Sequence, residues 1–264
     1  AMAKLIAMAD KFDIAWGNDT DFDRHGIVTP KGLMNPNHYL AVSIWYLLQH
    51  RPGWKKNLMV GKTLVSSSMI DKVSAGLNRK VFEVPVGFKW FVKGLKNGSL
   101  AFGGEESAGA SFLRRDGTVW TTDKDGFCMT LLAAEILAKT GKTPEEIYQK
   151  VLVPEYGEPY YQRVDSPIAD HQKEVLNHLD PDSLKGASIA GLGISSVITK
   201  ARGNNAPMGG VKVSLDKGSW FALRPSGTEP IMKFYIESFG GRELAQKIHD
   251  EALGLIFEMK AGKA

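Results

Sequence analysis

At 264 residues with 43% apolar side chains, the chain can bury a sizeable core and divide into more than one domain, which excludes a small cross-linked scaffold. One cysteine excludes an intrachain disulfide, and a net charge of +4 scattered among 29 acidic residues argues against nucleic acid as a partner. No apolar run approaches a membrane span and Ala1-Met2-Ala3-Lys4 lacks a signal-peptide pattern, so a cytoplasmic protein in a reducing compartment is expected.

Residues 1–30 are expected to hold a helix over 2–11, a short buried strand over 12–16 and an acidic loop. That is too little to fold alone, so it reads as the tail of a truncated second domain. Asn35-Pro36 opens an apolar-periodic helix through Tyr39, Val42, Ile44 and Leu47 that stops before Pro52. Strands at 63–65, 81–84 and 100–102 alternate with helices at 69–77 and 89–95. Such alternation predicts a mixed, mainly parallel α/β sandwich over residues 31–153.

A long helix is predicted at 127–139, with Cys128 as a packed thiol, and Thr143-Pro144-Glu145-Glu146 opens another with a capping threonine. Residues 154–159 read as a linker. Beyond it, closely spaced strands at 160–164, 211–213, 220–223 and 231–236, with helices at 168–179 and 242–259, predict a smaller antiparallel α+β domain over 154–264.

Four loops carry chemistry. In Asp19-Thr20-Asp21-Phe22-Asp23-Arg24, extended backbone would point alternate side chains the same way, bringing Asp19, Asp21 and Asp23 within roughly 6–7 Å of one another. A hard divalent cation such as Mg2+ relieves their repulsion, and the Arg24 fork is then placed for a phosphate. An EF-hand is excluded, because Arg24 and Pro30 stand where glycine and glutamate are needed, whereas a solvated acidic turn remains open. In Val86-Gly87-Phe88-Lys89, a lysine on a helix's first turn opposes the dipole, which suits it to an anion or a sugar oxygen, although surface lysines are common.

Gly103-Gly104-Glu105-Glu106-Ser107-Ala108-Gly109 follows a strand, so it falls at the carboxyl edge of the sheet, with Glu105 and Ser107 as acceptor and donor for sugar hydroxyls. A solvated glycine-rich connection explains the same residues. In Arg224-Pro225-Ser226-Gly227-Thr228-Glu229-Pro230, Gly227 allows a tight concave turn while Arg224, Ser226 and Thr228 supply a fork and two hydroxyls suited to phosphate. Gly191-Leu192-Gly193 lacks the third glycine of a dinucleotide fingerprint and reads as a turn.

These four loops, in this order and separation, resemble the α-D-phosphohexomutase family, and Asp23-Arg24-His25-Gly26 with Gly104-Glu105-Glu106-Ser107-Ala108-Gly109 is most similar to its bacterial glucose-specific phosphoglucomutases. The resemblance implies interconversion of glucose 1-phosphate and glucose 6-phosphate through a phosphoserine and glucose 1,6-bisphosphate. It also implies roles: Asp19, Asp21 and Asp23 for Mg2+, Arg24 for the phosphoserine, Lys89 for substrate and proton transfer, and Glu105 and Ser107 for sugar hydroxyls. Arg224, Ser226, Gly227 and Thr228 would grip the phosphate that is not reacting. The family's Thr-x-Ser-His-Asn-Pro type segment is nowhere in these residues, so a carboxyl-terminal part is expected, inactive alone, with the missing amino-terminal domains as its partner.

Other readings are a phosphomannomutase-like mutase, a non-catalytic sugar-phosphate-binding module and a haloacid-dehalogenase-like, metal-dependent sugar phosphatase. Asp23 stands where that phosphatase family usually has threonine or valine.

Overall fold

The structure, a computed structural model, describes residues 2–227 and 229–258. Thr228, and Met259 at the end of the expected last helix, lie outside the described residues. Two compact units part between Gly157 and Glu158.

In the first unit, α1 (Ala3–Ile6) and a 3-10 turn take the place of the helix expected over 2–11. Antiparallel strands β1 (Ala15–Asn18), β2 (His25–Thr29) and β3 (Gly32–Leu33) follow. The strand expected at 12–16 is thus shifted, and it is not buried: Phe12 is 54% and Trp16 40% exposed. β1 is an edge strand, paired only with β2, and its outward residues stay open to solvent, which apolar content alone does not reveal.

The helix α2 (Pro36–His50) starts where Asn35 accepts the Asn37 N–H at 2.9 Å and Pro36 presets the first turn. Then β4 (Met59–Thr63), α3 (Met69–Gly76), β5 (Val81–Val84), α4 (Val92–Lys96), β6 (Leu100–Glu105) and β7 (Gly109–Phe112) build one sheet in the order β5-β4-β6-β7. Its first three strands are parallel and β7 is an antiparallel edge. The expected 63–65 strand is really residues 59–63, with Leu64 and Val65 buried in the turn beyond it.

One face of this sheet packs on Tyr39, Leu40, Ile44 and Ile136, the other on Phe88, Phe91 and Leu95. Gly61 and Gly103 are cross-strand partners under the Phe91 ring, where a Cβ would come within 2.7 and 2.9 Å of ring carbons. The close approach of helix layer to sheet therefore requires glycine at both.

The helix α5 (Gly126–Thr140) is capped by Asp125, which accepts the Cys128 N–H at 2.8 Å, and closed by Gly141 at φ 67°. Cys128 is half-buried, and burial followed by the Asp125 carboxylate pushes its thiol up to about 12, so it is a protonated packing group. The Thr143–Glu146 capping box opens α6 (Pro144–Ile147), and a π-helical turn, Tyr148–Leu152, runs on into α7 (Val153–Tyr156). Residues 154–156 are thus helical, not linker. Pro154 is tolerated because it stands in the first turn of α7.

The second unit holds β8 (Tyr160–Pro167), α8 (Asp170–Asn177), β9 (Ser188–Ile189), β10 (Leu192–Lys200), β11 (Pro207–Leu215), β12 (Trp220–Pro225), β13 (Ile231–Ser238) and α9 (Gly241–Glu258). The strands form one antiparallel sheet, β8-β13-β12-β11-β10-β9. Alternate residues Val211, Val213, Phe221, Leu223, Phe234 and Ile236 meet Ile248, Ala252 and Ile256 of α9 in the core. Ala190 and Gly191, at φ 52° and 75°, make the expected turn, but Gly193 belongs to β10.

Because this unit has its own core, a chain of residues 158–264 is expected to fold alone, with a cooperative melt by circular dichroism. An unfolded spectrum would place the boundary elsewhere.

Candidate functional site

The parallel strands of the first unit end together, at Thr63, Val84 and Glu105, and an open α/β sheet binds ligands at that edge. Glu105 is 4% exposed and its Oε1 accepts the Gly87 N–H at 2.9 Å, which joins the loop after β5 to the end of β6. Burial raises the Glu105 carboxyl above its ordinary range. The Gly87 N–H opposes the shift, Glu106 adds to it, and Arg24 and Lys124 oppose it. Glu106 is held elsewhere, its Oε2 accepting from Thr63 Oγ1 at 2.7 Å.

Glu106, Ser107 and Ala108 connect β6 to β7 as a hairpin with Ala108 at φ 70°. Ser107 stands exposed at its tip. The Arg24 Nη1 donates to the Ser107 carbonyl at 2.7 Å, and the His25 N–H to that of Ala108 at 3.1 Å, so the acidic turn and the hairpin are bound into one piece.

The acidic segment is not extended, which corrects the expected convergence of its carboxylates. The Phe22 N–H donates to the Asp19 carbonyl at 3.1 Å and Phe22 has φ 57°, so the chain turns within the triplet. Asp19 and Asp21 are exposed; Asp23 is half-buried, 2.9 Å from Lys124 Nζ and 3.3 Å from Arg24 Nε. Burial would raise the Asp23 carboxyl, but Lys124, Arg24 and Asp19 together hold it below the usual carboxylate range. Among the described residues no three histidine, cysteine or acidic side chains stand grouped to hold a metal ion, so the loop as arranged does not fit one.

Lys89 lies in a 3-10 turn, Phe88–Trp90, its ammonium 5.0 Å from the Trp90 ring centre, and the α-helix begins only at Val92. Lys89 therefore precedes the α-helix rather than standing in its first turn, where the sequence predicted it. Two residues passed over in the sequence belong to the site. Lys124 was visible only as part of a charged run before a helix. His25 was visible only as a neighbour of Arg24. His25 is 6% exposed, packs edge-on to Tyr39 at 5.1 Å, and borders a cavity of about 200 Å³ with Asn18, Asp19 and Arg24. Neither ring nitrogen has a partner among the described residues, and burial, with help from Arg24 and against the Ala108 backbone, lowers its pKa to about 3.

In the second unit, Arg224 near the end of β12 faces Lys233 across to β13, and its Nε donates to the Met208 carbonyl at 3.0 Å. The Ser226 N–H donates to the Ile231 carbonyl at 2.8 Å and closes the hairpin at its base. Gly227 is exposed, with no left-handed φ and nothing within 4 Å of a Cβ placed there. Thr228 lies outside the described residues.

Residues 35–154 match the family model for phosphoglucomutase/phosphomannomutase α/β/α domain III, and residues 169–254 that for the phosphoglucomutase/phosphomannomutase C-terminal domain. The chain is 56% identical over its whole length to a phosphoglucomutase of Komagataeibacter xylinus, covering 47% of that protein. It is 28% identical to phosphoglucomutase 1 of Drosophila melanogaster over 90% of this chain and 45% of that one. Among solved structures it resembles the open form of parafusin, a phosphoglucomutase from Paramecium, with a TM-score of 0.68 and 25% identity, covering 93% of this chain and 44% of that one. The chain thus spans about half the length of the curated relatives it matches.

Proposed function

We propose, from the premise that the chain belongs to the phosphoglucomutase/phosphomannomutase family, that it supplies the sugar-binding and phosphate-gripping parts of an enzyme interconverting glucose 1-phosphate and glucose 6-phosphate. The route would run through an enzyme phosphoserine and glucose 1,6-bisphosphate. The observation that carries this reading is the strapping of Arg24 to the Ser107 hairpin, which brings an anion-binding fork from one loop beside the sugar-binding groups of another.

Glu105, held by the Gly87 N–H, keeps its second oxygen for a sugar hydroxyl, and the exposed Ser107 hydroxyl is a second contact. Arg24 is assigned to the phosphoserine, and Lys89 to substrate and to proton transfer. Arg224, Ser226, Gly227 and Thr228 are assigned to the phosphate that is not reacting. The Mg2+ assignment of Asp19, Asp21 and Asp23 rests on resemblance, and no step is drawn through a metal.

Saturation-transfer NMR with glucose 1-phosphate tests the sugar site. Glu105→Gln keeps a carbonyl for the Gly87 N–H but loses the charged acceptor, and is expected to weaken binding roughly tenfold, the size of a charged hydrogen bond. Arg224→Ala should weaken glucose 1-phosphate and inorganic phosphate alike. Binding unaffected by either change would overturn the assignment.

A further inference from the structure

We infer that the Lys124 ammonium is a tethered cation occupying the place of a divalent ion at the acidic turn, so that a metal must displace it to reach Asp23. This deepens the reading of Asp19, Asp21 and Asp23 as a cation loop and rests on that reading. The misfit between the loop as it stands and a bound metal is its starting point.

Three features argue that Lys124 is built into the turn. Its Nζ stands 2.9 Å from Asp23 Oδ2, and its side chain is only 18% exposed, so the pair is not a solvated surface contact. Its stem crosses Gly109: a Cβ on that residue would meet Lys124 Cδ at 2.4 Å and Cγ at 3.0 Å. The ammonium also lies 5.9 Å from the Phe88 ring centre, a further favourable contact for a cation.

The backbone holds the same arrangement from both sides. The Gly126 N–H donates to the Phe22 carbonyl at 2.9 Å, and Asn18 Nδ2 to that of Arg24 at 2.7 Å, so the stretch bearing Lys124 and the turn bearing Asp23 are fixed to each other. Asp19 Oδ1 meanwhile accepts the Arg24 N–H at 3.1 Å. Asp23 thus meets two fixed cations, Arg24 and Lys124. A divalent ion bound to Asp23 would sit close to the ammonium, and two cations sharing one carboxylate repel each other. The loop pays for its order without metal by binding metal less tightly.

The test uses Mn2+ as the probe and reads paramagnetic broadening of the amides of residues 17–26 in the 264-residue chain. Lys124→Met removes the competing charge, whereas Gly109→Ala keeps the charge but pushes its stem off Asp23. Both should tighten Mn2+ binding roughly three- to tenfold, the range for a partly buried ion pair, while Lys124→Arg should leave it near the parent value. Unchanged or weaker binding in both Lys124→Met and Gly109→Ala overturns the competition while leaving the cation loop in place. If millimolar Mn2+ broadens none of these amides in any of the proteins, the cation-loop reading falls and the inference falls with it.

Discussion

Purified alone, the 264-residue chain is expected to form no glucose 6-phosphate from glucose 1-phosphate above background in a dehydrogenase-coupled assay. The proposed reaction passes a phosphoryl group from an enzyme serine to the sugar and back, and positioning or charge stabilisation cannot stand in for that carrier. No Thr-x-Ser-His-Asn-Pro type segment occurs in the sequence. Among its serines, Ser66 and Ser67 are fully buried beyond β4, and Ser107 stands in the hairpin between β6 and β7, where its carbonyl holds Arg24. The shortfall should be roughly a millionfold or more relative to a working mutase. Adding the separately made amino-terminal half of the Komagataeibacter relative is expected to restore turnover. Arg224→Ala should then chiefly raise KM. Turnover by this chain alone, surviving removal of any contaminating full-length enzyme, would sink the account.

Glu135→Ala is expected to produce a large loss of stability away from the site. Its carboxylate takes both Arg51 Nη1 and Nη2, at 2.7 and 3.0 Å, as well as the Tyr46 hydroxyl at 2.9 Å and Arg115 at 3.1 Å. Arg51 is 6% exposed, so removing Glu135 strands a buried guanidinium beside little more than the His50 carbonyl. The cost is about 2–4 kcal/mol, somewhat below that of a fully enclosed pair because Glu135 itself is 22% exposed. A fall in Tm of roughly 5–10 °C follows for a unit of this size. The double change Arg51→Met with Glu135→Leu should recover much of it, because no charge is then left buried.

Acid provides a second readout of that network. Burial would raise the Glu135 carboxyl, but Arg51, Tyr46 and Arg115 outweigh it and hold the group below the ordinary glutamate range. A lowered folded pKa gives a contribution that is fully present above the unfolded value and lost as pH falls through the folded one. The gap in Tm between parent and Glu135→Ala should therefore be widest near neutrality and close in acid. An equal Tm at neutral pH would show that Arg51 needs no partner.

Much of the fold was legible because it rests on local rules. Asn35-Pro36 and Thr143 with Glu146 announce helix starts by side-chain chemistry that needs no tertiary context, and both helices begin where expected, while α5, capped by Asp125, begins one residue before the expected 127. The parallel strands β5 and β6 showed as short apolar runs between helices, although β6 continues three residues further, to Glu105, because the edge strand β7 pairs along it. The helical continuation through Pro154 and the hairpin of β9 with β10 were hidden. A proline and a Gly-Leu-Gly run look like breaks until the partner strand or the preceding helical turn is known.

The sequence by itself determined the plan of an α/β unit followed by an antiparallel one, and which loops hold charged and hydroxyl side chains side by side. Those depend on periodicity, caps and the order of the four loops. Only the tertiary structure decided what those residues hold. It joined Arg24 to Ser107 and Glu105 to Gly87, brought Lys124 to Asp23, and turned the chain at Phe22 so that three alternate aspartates do not converge. The physical reason is that an isolated acidic loop has no preferred partner. Its backbone path is set by hydrogen bonds from Asn18 and Gly126, and its counter-charge arrives from a residue a hundred positions away.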